Sequence, residues 1–128
     1  MKKTLLILIT VLFPALLYSQ ALSGDYYIPK GDHLQGFDNL AAALTEVSNS
    51  GLDGTVNFYI DGDLNETAAN CVINRSDMGP NRQLIIKPAP GKTPVITLSG
   101  CSSAVGASQY NGITLNNSSY VTIDGSNT

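Results

Sequence analysis

Tryptophan is absent from the 128 residues, histidine occurs once and cysteine twice. One histidine and two cysteines without a CxxC cannot supply the four spaced ligands of a structural zinc site. The single histidine, His33, has no serine or cysteine motif beside it, so no nucleophile–base pair stands out. It is expected in a surface loop. Basic side chains are scarce as well, 7 against 10 acidic ones. A chain short of cations gains nothing from counterion release, which excludes nucleic acid and disfavours an anionic membrane surface as partners.

Nor is there an apolar run of spanning length. The longest, residues 5–17, is interrupted by Pro14 and falls short of the ~20 residues that cross a bilayer. Lys2 and Lys3 precede it and Ser19 ends it, the layout of a cleavable export signal over residues 1–19. Removing that segment takes Lys2 and Lys3 with it. Residues 20–128 then hold 5 basic and 10 acidic side chains, a net charge of −5. The expected product is secreted or held at the outer cell surface, with no membrane insertion after cleavage.

What the chain does have is glycine, asparagine, serine and threonine between short β-branched runs, the pattern of many strands joined by turns. Residues 20–36 read as a leading strand and loop. One helix signal follows within residues 37–51. Asp38 is the expected N-cap, Phe37, Leu40, Leu44 and Val47 form a stripe, and Gly51 is the stop. Six strand-like runs come next, at 55–60, 71–74, 84–87, 94–99, 113–116 and 120–124. Paired as two copies of a three-strand unit, they match at offsets of 40, 42 and 37 residues. Val56 and Phe58 then fall against Ile96 and Leu98, Ile73 against Leu115, and Leu84 and Ile86 against Val121 and Ile123. Alternate apolar positions agree throughout, as one buried face requires. Lys87 falls against Asp124, and Asn74 against Asn116. Such a period is a solenoid signature. A β-sandwich, with antiparallel neighbours, is the competing architecture.

The segments GFDNLAAALTEVSNSGLDGTVNFYI and ITLNNSSYVTIDGSN resemble the opening of a secreted right-handed parallel β-helix protein of the pectate-lyase-like superfamily. They are especially similar to large Gram-negative surface proteins exported by the type IX route. The resemblance implies an all-β solenoid: an N-terminal capping helix over 37–51, then about two coils over 52–128. With no second cap after the last run, it implies an N-terminal fragment. The function it implies is a non-catalytic, adhesin-like or carbohydrate-binding scaffold whose partner is a polysaccharide or cell-surface glycan. The alternative is a polysaccharide lyase or glycoside hydrolase with its active site in downstream coils. Enzymes of the superfamily carry their chemistry on outward residues of the first strand of each coil. Here those are Thr55, Asn57 and Tyr59, then Val95, Thr97 and Ser99, none ionisable near neutral pH, so no catalytic constellation is expected.

The remaining candidates are local. Asp61, Asp63 and Asn65 stand at positions 1, 3 and 5 of an EF-hand-like loop. Glu66 replaces its turn glycine and Val72 its bidentate glutamate, so a solvated turn is favoured over a loop-borne calcium site. No other cofactor is expected. A Cys71–Cys101 disulfide is open to an exported chain, but Cys71 takes the inward position matched by Ile113, which favours a buried thiol. Sequons at Asn65, Asn74, Asn116 and Asn117 fit the Asn/Ser-rich composition. Tyr26, Tyr27, Tyr59 and Tyr110 are available to stack on sugar rings, although tyrosine is also ordinary in strands.

Overall fold

A computed structural model of the chain describes residues 20–101 and 112–126. The proposed signal segment 1–19 and Tyr110 lie outside these residues. The chain forms β1 (Leu22–Ile28), α1 (Leu40–Ser50), β2 (Leu52–Ile60), β3 (Leu64–Thr67), β4 (Val72–Asn74), β5 (Leu84–Pro88), β6 (Ile96–Ser99), β7 (Thr114–Asn116) and β8 (Val121–Ile123). These strands make three sheets among the described residues: β1-β2-β5-β8, β3-β6 and β4-β7. Every strand pair is parallel. That removes the β-sandwich, whose neighbours run antiparallel.

The expected all-β, two-coil right-handed β-helix is also corrected. The described chain is 42% strand and 14% helix in a mixed, α/β-type arrangement, and no closed solenoid is present. The physical reason begins at β1 and β2. They are adjacent parallel strands of one sheet, and such a pair needs a crossover connection. Here α1 provides it. Its buried stripe of Leu40, Ala43, Leu44 and Val47 joins one hydrophobic cluster with Ile28, Val56, Phe58, Ile73 and Ile86. The helix is thus part of the core.

Two strand pairings follow the registers read from the sequence. β4 meets β7 with Ile73 beside Leu115 and Asn74 beside Asn116. β5 meets β8 with Leu84 beside Val121 and Ile86 beside Ile123. The third does not. β2 pairs with β5, placing Val56 beside Leu84 and Phe58 beside Ile86. The 94–99 run pairs instead with β3, a strand inside the segment expected to be a solvated turn. Leu64 and Glu66 face inward there while Asn65 and Thr67 face out, the period-2 alternation of a half-buried strand.

The helix begins one residue later than expected. Asn39, not Asp38, is the N-cap, and its side chain accepts from Ala42 N at 2.8 Å. α1 has no acidic residue in its first turn and no basic residue in its last. Both come from the strands. Glu66 on β3 is buried and accepts from Leu40 N at 2.6 Å and from Ala41 N at 3.3 Å. Arg75, just after β4, donates to the carbonyls of Ser48 at 3.2 Å and Asn49 at 3.5 Å. A carboxylate at the positive end and a guanidinium at the negative end satisfy orphan backbone groups and complement the macrodipole. Asp77 holds the guanidinium in a two-pronged pair at 2.5 and 2.9 Å, and Arg75 in turn keeps the Asp77 carboxyl below its usual range.

Candidate functional site

The outer face of the four-stranded sheet collects polar and aromatic side chains in rows across the strands. In-register parallel strands place equivalent positions side by side, so a residue type at one position recurs laterally. One row runs Tyr27, Tyr59, Lys87. The tyrosine rings stack with centroids 5.3 Å apart, and the Lys87 ammonium lies 4.9 Å from the Tyr59 centroid. His33 closes the far end, its ring 3.7 Å from that of Tyr27. The neighbouring row runs Asp25, Asn57, Ile85, Thr122. Asn57 Nδ2 donates to Asp25 Oδ1 at 2.8 Å.

The stacking changes what the tyrosines can do. A sugar ring packs on an open aromatic face, but Tyr27 is covered by His33 and Tyr59, and Tyr59 by Tyr27 and Lys87. Their edges and hydroxyls are what face outward. Tyr26 is turned the other way, against Phe37 and Phe58, and belongs to the core margin.

Beside this row, the loop after β1 folds back along the sheet edge. Tyr27 N donates to Gln35 O at 3.1 Å and Phe37 N to Tyr27 O at 3.0 Å. Asp25, Tyr27, Asp32, His33, Leu34 and Gln35 then line an open groove of about 460 Å³. Gly36 makes the close approach possible, because a Cβ there would stand 2.2 Å from Tyr27 O. His33 is half-buried and does more than fill a surface loop. Its Nε2 lies 3.0 Å from Asp61 Oδ2, while Lys92 Nζ reaches Asp61 Oδ1 at 3.3 Å. The hydrogen bond from His33 leads in holding the Asp61 carboxyl below its ordinary range; desolvation opposes it, and the hydrogen bond and charge of Lys92 add to the lowering.

The calcium candidates do not converge. Asp61 is held by His33 and Lys92, Asp63 Oδ1 accepts from Val95 N at 2.8 Å, and Asn65 pairs along β3 with Thr97. Among the described residues, no group of three His, Cys, Asp or Glu side chains could hold a metal ion. Both cysteines are free. Cys71 is fully buried, and burial, with Glu66 nearby, pushes its thiol up to about 11, whereas Cys101 is exposed. The outward positions Thr55, Asn57 and Tyr59 do lie on one face, but Val95, Thr97 and Ser99 adjoin β3 on a different sheet. The expected single outer row is therefore two separate surfaces.

Local sequence pattern does not mark Glu66 or Arg75 as structural residues. The signal was present in α1 itself, which lacks the terminal charges a helix of this length benefits from.

Fold and surface together define a parallel-sheet α/β module with a polar, tyrosine-bearing outer face. Comparison with known proteins finds no matching family model, no matching curated protein and no matching solved structure. The resemblance to the pectate-lyase-like superfamily therefore rests on the quoted segments alone.

Proposed function

We propose that the chain is an extracellular, non-catalytic module that recognises a neutral glycan through the groove beside Tyr27. The observation that carries this reading is the lining of that groove. The carboxylates of Asp25 and Asp32, the amide of Gln35 and the edge of Tyr27 surround one open space. Sugar hydroxyls both donate and accept, and such a set offers both kinds of partner around an aromatic edge. The net charge of −5 over residues 20–128 disfavours a polyanionic glycan. What supports binding over bond cleavage is the employment of other carboxylates in the fold. Glu66 caps the helix, Asp61 ties two loops, Asp63 fixes a strand start and Asp77 holds Arg75.

A glycan array probed with the chain tests the proposal. Binding to neutral glycans is expected, with a loss of roughly tenfold or more, about 1.4 kcal/mol, in Asp25→Ala and Tyr27→Ala. A blank array, or binding that both variants retain, sinks it.

A further inference from the structure

We propose that the free edge of β8 is a docking site for an extended peptide segment, which adds to the sheet as a parallel fifth strand. This surface lies at the opposite edge of the sheet from the groove and is independent of the glycan reading.

The two edges of the sheet are treated differently. Beside β1, residues 35–37 hydrogen-bond to Tyr27 and cover that edge. Beside β8, no strand pairs among the described residues. In a parallel ladder the N–H and C=O of one residue point to the same side, and successive residues alternate. Tyr120 O accepts from Leu84 N and Asp124 N donates to Ile86 O, so the even positions serve β5. Val121 and Ile123 therefore turn their backbone groups to the open edge.

The side chains say what kind of segment fits. Along one inward row, Phe58 is 0% exposed, Ile86 1% and Ile123 57%. In the β4–β7 sheet, Ile73 is 0% exposed and its register partner Leu115 45%. Burial is complete at Phe58, Ile86 and Ile73 and fails at Ile123 and Leu115, which lie on β8 and β7, the last strands of their sheets among the described residues. An apolar hollow of about 260 Å³ opens there among Ile60, Ile86, Ile96 and Ile123. An added strand with apolar residues opposite Val121 and Ile123 would restore the burial of its predecessors. Asp124 follows the Ile86–Ile123 pair directly, its N–H bonded to Ile86 O, and Lys87 is the one cation among the described residues whose charge acts on its carboxylate. The matching position of the incoming strand is complementary when it carries a lysine or arginine. The fitting ligand is thus an extended peptide of the pattern apolar–polar–apolar–basic.

The test is titration of the chain with a synthetic peptide containing Val-Thr-Ile-Lys, followed by calorimetry and by amide chemical shifts. Saturable binding is expected, with shifts at Val121 and Ile123. A scrambled peptide of the same composition should bind at least tenfold more weakly, and N-methylation of the edge-facing amides should abolish binding. Ile123→Pro removes an edge donor without touching the bonds to β5, so binding should vanish while amide protection in β2 and β5 persists. Equal binding of the scrambled peptide would reduce the site to a greasy contact and overturn the proposal. So would no binding at all, or self-association of the chain through this edge, which would make a second copy the occupant.

Discussion

Replacing Glu66 by alanine should destabilise the fold strongly, because one buried carboxylate serves two helix donors at once. The bond from Leu40 N at 2.6 Å is short and charge-assisted, worth about 1.5–3 kcal/mol. The longer bond from Ala41 N at 3.3 Å adds about 0.5–1 kcal/mol. The favourable charge at the helix N-terminus contributes about 0.3–1 kcal/mol. Against these stands the cost of keeping a carboxylate dry, which reduces the net loss to roughly 2–4 kcal/mol. Glu66→Gln retains one acceptor and loses the charge, so it should cost about half as much. Urea unfolding of the three proteins, followed by far-UV circular dichroism, measures the series. At ~1–1.5 kcal/mol per molar for a domain of this size, Glu66→Ala should lower the midpoint by roughly 2 M with an unchanged slope. A midpoint within about 0.3 M of the parent would refute the reasoning. A glutamine variant as unstable as the alanine one would refute its electrostatic half.

Three further outcomes follow from particular contacts. Gly36→Ala places a Cβ 2.2 Å from Tyr27 O, so the 35–37 segment must leave the β1 edge. Hydrogen exchange should show faster exchange at Tyr27 and Phe37 with β5 unaffected, and unchanged rates would count against that packing. Asp61 titrates below its usual value when folded, so its contribution is complete above about pH 4 and is lost as pH falls through the lower folded value. In a carbon-detected titration, His33→Ala should move the Asp61 midpoint upward, and an unmoved midpoint would show the 3.0 Å contact to be idle. Native chain should label at one thiol with iodoacetamide near pH 8. Cys101 is exposed, while Cys71 is buried and ionises only near 11. Two fast equivalents would place Cys71 elsewhere.

The elements with dense local signals were legible. The leading strand, the Gly51 stop, the helix stripe, and the β4 and β5 registers with β7 and β8 all follow from alternation and helical period. The third pairing failed for a reason built into strands. Offsets of 28, 32 and 40 residues are all even, so each sets inward residues against inward residues. Alternation fixes parity and cannot select among registers of the same parity. Taking Leu64–Thr67 as a turn then removed the strand that would have claimed Ile96 and Leu98.

That one misplacement also hid the architecture and the role of Glu66. A glutamate in an apparent turn is expected to be solvated, and only as an inward residue of β3 does it reach the helix. The helix stripe could be read locally, but its termini are completed by side chains 26 and 27 residues away. A helix lying between two parallel strands therefore reads locally as a cap on a stack, while its buried face and both its ends are tied to the strands around it. The groove was illegible for the same reason. Asp25, Tyr27 and His33 are near neighbours in sequence, yet the residues that orient them, Asn57, Tyr59 and Asp61, arrive only when β2 lies parallel to β1. Local pattern identifies which residues alternate; the crossover decides which of them meet.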